Sequence, residues 1–285
     1  MDQAIIGHVE DIIALLAGMA GGDGLSSLTQ SLPGVSSELY SWAMAIAENV
    51  MMPVAMSVLA LFCMLELHKQ ATRANGAGAG EAFAAEIVFR TLFKTALCKE
   101  ILGNAPRLME GIYNASTQVT HAVMGEAKIS AVALSASASA LKPAIDDMDL
   151  YSKLALLLTC LIIKLVAWAA VLLANTIILG RFAEIMLMLC LSPIPLATFP
   201  NEEMGQIGKS FIKGFCALCT QGATVYLSLS FFPMVANPIL ASVADIGTVG
   251  DLNSALGKLL MCSMLLIGML TSSRKFANTV FGLGG

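Results

Sequence analysis

The sequence predicts an all-α fold: a polytopic helical membrane protein with about five transmembrane helices plus amphipathic or interfacial helices. Three observations predict it. Charged residues make up 13% of the 285 residues and hydrophobic ones 57%, whereas soluble domains carry about 25% charged residues. Mean hydropathy is +0.78, too high for a chain that must coat itself with solvated groups. Finally, the apolar residues fall in runs near the ~20 residues that cross a bilayer core, separated by Pro, Gly and charge clusters.

In chain order, residues 1–37 read as an extracytoplasmic amphipathic helix and a linker. Ile5, Ile6, Val9, Ile12, Ile13, Leu15, Leu16 and Met19 recur at helical spacing, with His8 and Asp11 on the other side. Such a helix lies on a membrane or partner, or packs on its own chain. Gly21–Gly24 ends it. MDQAIIGHVEDII lacks a basic n-region, so no signal peptide is expected and insertion relies on internal spans. Residues 38–68 hold the first span, about 45–67, with Pro53 in its first turns. Residues 69–149 are expected to form basic interfacial helices and an Ala/Ser-rich segment at 131–147, with NGAGAG at 75–80 as a hinge. Within 81–103, Glu86, Arg90, Lys94 and Lys99 recur among apolar residues. A charge at the bilayer centre costs at least ~2.5–3.5 kcal/mol, so a helix in the cytoplasmic interface is expected; a span facing a polar lumen is the alternative. Packed short helices are expected in 104–149.

Residues 150–285 read as a bundle of four transmembrane helices: about 154–179, 182–199, 210–232 and 255–272. Gly180-Arg181 is expected to reverse the chain between the first two, Pro233 and Pro238 to stop the third, and Arg274 and Lys275 to close the last. Lys164 lies inside a span. It either snorkels or pairs with a carboxylate such as Glu184, or faces a wet passage.

Charge sets the topology. The first 67 residues contain no Lys or Arg, while Lys69, Arg73, Arg90, Lys94, Lys99, Arg107, Lys128 and Lys142 precede the second span. Basic loops stay cytoplasmic, so five spans put the N-terminus outside and the C-terminus in the cytoplasm. The elbow at 192–206 is then cytoplasmic.

That elbow joins two apolar helices through Pro193, Pro195 and Pro200, each lacking a backbone donor, and carries Asn201, Glu202 and Glu203. Gln206, Lys209 and Lys213 follow, the lysines sharing one helical face. The run SPIPLATFPNEEMGQIGKSFIKGFCALCTQG resembles the signature of VirB6/TrbL-like conjugal transfer proteins, particularly the branch on integrative elements of Gram-positive bacteria. The matching residues are Arg181, Glu184, Pro193, Pro195, Ala197, Thr198, Phe199, Gly205, Gln206, Gly208, Lys209, Lys213, Gly214, Gln221 and Gly222. The resemblance implies a scaffold or channel subunit of a bacterial type IV secretion system, in the inner membrane, moving DNA or protein that it touches only transiently. It implies a homo-oligomeric ring, a stalk or pilus component, and a VirB4-like ATPase on another chain. In that setting Lys164, Arg181, Glu184, Gln206, Lys209 and Lys213 face a lumen or a partner. Small residues suit close helix packing in such an assembly: Ala167, Ala169, Ala170 and Ala174 in one span, and Gly208, Gly214, Ala217 and Gly222 in another.

Catalytic chemistry is not legible. His8, His68 and His121 are scattered, and no P-loop is present, so the protein is expected to be no enzyme and to use no cofactor or metal. Cys216 and Cys219 form a lone CxxC in an apolar helix, and the seven cysteines read as small hydrophobes. A secondary transporter is the rival reading, but it calls for internal repeats that the chain lacks; an accessory membrane protein is a further one.

Overall fold

The computed structural model describes residues 2–21, 28–76, 81–126, 150–241 and 249–283. The Ala/Ser-rich segment 131–147, hinge residues 77–80, the end of the Gly21–Gly24 stop, Lys128 and Lys142 lie outside them. Among the described residues all regular structure is helical: α1 (Asp2–Gly21), α2 (Leu32–Val35), α3 (Ser37–Ile46), a π-helical turn (Ala47–Met51), α4 (Met52–Gly76), α5 (Glu81–Gly103), α6 (Ala105–Glu126), α7 (Leu150–Leu191), α8 (Pro193–Leu196), α9 (Gly205–Ala241) and α10 (Val249–Val280). Four segments among the described residues are long and apolar enough to cross a membrane: Ser37–Arg73, Leu150–Leu191, Gly205–Ile239 and Leu256–Val280. The protein is a multi-pass, all-α membrane protein.

Several expected boundaries are corrected. No reversal occurs at Gly180-Arg181. The predicted spans 154–179 and 182–199 are parts of α7, a single helix of 42 residues. Gly180 keeps a helical φ, since Gly282 is the sole positive-φ residue described, and apolar side chains flank it on both sides. At 1.5 Å per residue α7 is ~63 Å long, about twice the ~30 Å hydrocarbon core. Pro233 and Pro238 do not stop α9; they lie within it. Neighbouring groups in a membrane bundle can absorb the lost backbone bonds. Arg274 and Lys275 do not close α10, which runs on to Val280. Residues 105–126 form one 22-residue helix rather than several short ones.

The chain divides into two compact units. The first holds residues 1–29, 118–180 and 221–277. In it α7 buries a stripe, Leu156, Cys160, Ile163, Ala167, Ala170 and Ala174, at three- and four-residue spacing. Leu158, Leu165, Trp168 and Leu172 on its other sides are exposed. A soluble helix would place charge there; this one presents apolar surface suited to lipid. Ile5, Val9 and Ile12 of α1 are buried in the same unit, so α1 packs on its own chain. Thr224 of α9 donates to the Ser273 carbonyl of α10 at 3.3 Å.

The second unit holds residues 30–117, 181–220 and 278–285. Its α4 and α5 run antiparallel side by side. Thr95 Oγ1 lies 3.3 Å from Cys63 Sγ, and Thr91, Cys98 and Leu102 are the buried stripe of α5. The π-helical turn lies just before Pro53. Pro53 has no N–H for the Asn49 carbonyl, and a widened turn accommodates the mismatch. Tyr113 of α6 is fully buried and donates to the Gln30 carbonyl at 2.7 Å. Burial pushes its hydroxyl pKa up to about 12, so it stays a donor at any physiological pH.

Candidate functional site

The candidate site is the elbow and the helix ends it joins. Pro193 opens α8 at a position where a missing N–H costs nothing. Tight turns then carry the chain to Asn201. The Asn201 side chain, buried at 8% exposure, accepts from the N–H groups of Glu203 and Met204, both at 2.9 Å. This cap satisfies two donors of the turn at 202–204 that leads into α9. It was visible in the sequence only as an Asn ahead of an apolar run.

Pro195, Thr198, Phe199 and Gly208 come together. Thr198 Oγ1 donates to the Pro195 carbonyl at 2.8 Å. A Cβ at position 208 would stand 2.8 Å from the Pro195 oxygen and 3.2 Å from two ring carbons of Phe199. Glycine is thus required there by contact, because α9 presses its backbone against the elbow. Gly205 has ordinary room, its nearest neighbour being the Phe199 oxygen at 3.7 Å.

The far end of the elbow is clasped to α4. Lys69 Nζ lies 2.7 Å from Glu203 Oε1, and Arg73 Nη1 lies 3.7 Å from Glu202 Oε2. Glu66, 2% exposed, accepts from Gln70 at 3.0 Å and faces the Glu202 N–H at 3.5 Å. The hydrogen bond from Lys69 holds the Glu203 carboxyl below its ordinary value. Just ahead of the elbow, the last turn of α7 meets α3, where Cys190 Sγ lies 3.5 Å from the Ala43 carbonyl. The elbow therefore lies against α4, α5 and the π-helical turn instead of hanging free. Sequence reading did not pair Glu66, Lys69 and Arg73 with the elbow, whose residues lie 129 to 136 positions on.

The predicted lumen- or partner-facing residues part company. Gln206, Lys209 and Lys213 are exposed. Glu184 is half-buried. Arg181 is 2% exposed and turns into its own unit, which corrects the expectation of a lumen- or partner-facing side chain. Its Nε donates to the Leu218 carbonyl at 3.2 Å and its Nη2 to the Cys219 carbonyl at 2.9 Å, while Nη1 has no hydrogen-bond partner among the described residues. Its guanidinium carbon is 5.5 Å from the Phe182 ring centre. Lys164, in the other unit, pairs with Asp11 at 2.6 Å and not with Glu184; His8 Nδ1 stands 3.4 Å away. The Lys164 hydrogen bond lowers the Asp11 pKa. Gln221 is buried. Among the described residues no group of three or more His, Cys, Asp or Glu is gathered in metal-binding geometry.

The family of TrbL/VirB6 plasmid conjugal transfer like proteins matches residues 26–193, more than half of the chain. The chain belongs to this family. The TrbL/VirB6 match takes in the clasp residues of α4, Lys164, Arg181, Glu184 and Pro193. The rest of the motif on which the sequence resemblance stands, from residue 194 to Gly222, lies beyond it. Comparison with curated proteins and with solved structures returns no significant match. TrbL/VirB6 membership makes the protein a membrane component of a conjugal transfer system.

Proposed function

We propose that the protein is a non-enzymatic scaffold or channel subunit of a bacterial type IV secretion system, resident in the inner membrane as a homo-oligomer. ATPase and stalk components are supplied by other chains, and DNA or protein cargo passes only transiently. Family membership is the observation that carries this reading. The exposed face of Gln206, Lys209 and Lys213 beside a clasped, capped elbow supports a partner-facing role for those three residues.

The same geometry supports a topology. Lys69 and Arg73 pair with Glu203 and Glu202, so the end of α4 and the elbow share one side of the membrane. The four apolar segments alone would put them on opposite sides. If α5 crosses beside α4, α4, α5, α7, α9 and α10 make five crossings. The elbow, Lys69 and Arg73 then fall on the cytoplasmic side, with the N-terminus outside and the C-terminus inside. In this arrangement α5 follows α4 across the bilayer instead of lying flat, and its Arg90 and Lys94 face a polar environment.

The test is complementation of a deletion strain. The double variant Lys209→Leu, Lys213→Leu should insert normally and fail in transfer; normal transfer would remove this face from the mechanism. Cysteine accessibility along 81–103 and 200–209, on a cysteine-free background, tests the topology.

A further inference from the structure

Between α4 and α5 runs an open groove of about 440 Å³, within the ~300–1,000 Å³ range of small-ligand sites. Met56, Leu59, Cys63 and Leu67 form its α4 wall, and Thr95 and Lys99 stand on the α5 side. The Thr95 hydroxyl is already engaged with Cys63 Sγ and the Thr91 carbonyl, so mid-groove offers a ligand no free polar partner. Lys99 is the one charged residue among the described residues of the lining. It is exposed and forms no ion pair among the described residues.

Length and chemistry select the occupant. From Met56 to Leu67 the helix rises ~17 Å, close to half of a ~30 Å hydrocarbon core and so to one leaflet. About 440 Å³ spread over ~17 Å leaves a section of about 26 Å², too small for a helix ~10 Å across. An extended peptide would lay N–H and C=O groups against a lining that cannot satisfy them. A hydrocarbon chain has no such groups, and a cation at one end matches a phosphate.

We propose that the α4–α5 groove holds one acyl chain of an anionic phospholipid, with the lipid phosphate on Lys99. The inference rests on the reading that α5 crosses the bilayer beside α4. The apolar wall gives no preference among lipids, because tails leave one hydrocarbon environment for another. Selection comes from Lys99, which one basic residue near a headgroup makes worth about fivefold.

The experiment uses the full chain in nanodiscs of equal phosphatidylglycerol and phosphatidylcholine, with retained lipid counted by native mass spectrometry. Wild type should enrich the anionic lipid by about that factor. Lys99→Gln should return the ratio to that of the bilayer, Lys99→Arg should keep the enrichment, and Lys94→Gln, a cation off the groove, should keep it too. Ala96→Phe and Ala60→Phe, which fill the groove from opposite walls, should each lose the retained lipid while far-ultraviolet circular dichroism stays helical. Unchanged enrichment in Lys99→Gln, or in both groove-filled variants, overturns the site. Displacement by inorganic phosphate alone also overturns it, by showing a free-anion site. Water accessibility around every face of residues 85–101 would instead refute the crossing of α5, whatever the lipid count.

Discussion

The contact at Gly208 allows a prediction to be worked from distances. In Gly208→Ala the new methyl would meet the Pro195 oxygen at 2.8 Å and the Phe199 ring at 3.2 Å. Ordinary contact begins near 3.4 Å, so α9 and the elbow must part by about 0.6 Å. The nearest atom is backbone and cannot rotate away. Overpacking of this kind costs ~1–3 kcal/mol. Replacing glycine in a helix returns at most ~0.5–1 kcal/mol, and less near a helix start. The net expectation is a loss of ~0.5–2 kcal/mol. Gly180→Ala is the control: nothing lies within 4 Å of its Cβ and its φ is helical, so it should gain ~0.5–1 kcal/mol. Both are read from denaturant unfolding in detergent micelles by circular dichroism, with proteolysis near Glu202 reporting elbow release. A Gly208→Ala protein as stable as wild type, beside a Gly180→Ala protein that gains, would refute the close approach. A Gly180→Ala protein that loses stability would restore the chain reversal at that residue.

Three further outcomes follow from the same geometry. Asn201→Ala removes the α9 cap and should cost about 1 kcal/mol, with Asn201→Asp costing less, read from the same unfolding curves; equal stability of all three proteins would remove the cap. Arg181→Met should equal or exceed wild type in stability, since a buried cation without a counter-charge is costly. The Leu218 and Cys219 carbonyls also keep their helical partners. Arg181→Lys should be the less stable, because an ammonium cannot span both carbonyls; a reversed order would show that charge, not fit, is what matters there. The elbow clasp should loosen in acid. The Glu203 carboxyl is lowered in the folded state by Lys69, so its contribution is complete above the ordinary carboxylate value of about 4.3 and is lost as pH falls through the folded value. Proteolysis near Glu202 should therefore rise below that pH in wild type, whereas Glu203→Gln should cut readily at every pH; a wild type that stays protected in acid would show that the ion pair does not hold the elbow.

The legible parts of the fold and site share a cause. The proline-broken elbow, its glycines and the exposed Gln206, Lys209 and Lys213 are features of contiguous sequence, and so were readable. Arg181 was misplaced because it was read as a marker of a turn; in fact two carbonyls 37 and 38 residues on draw it inward. Lys164 was matched to Glu184 by proximity along the chain, while its partner, Asp11, is 153 residues earlier.

By itself the sequence determined the solvent of this protein. Too few charged side chains exist to face water, and apolar runs of spanning length require helices in lipid, because only a helix satisfies its own backbone there. The tertiary structure alone decided that α7 is unbroken, that the elbow is clasped by Lys69 and Arg73, and that Gly208 must lack a side chain. The clasp joins residues more than a hundred positions apart and leaves no mark in the local pattern of either one, while the Gly208 contact depends on how closely α9 is pressed against the elbow, which its local sequence does not state.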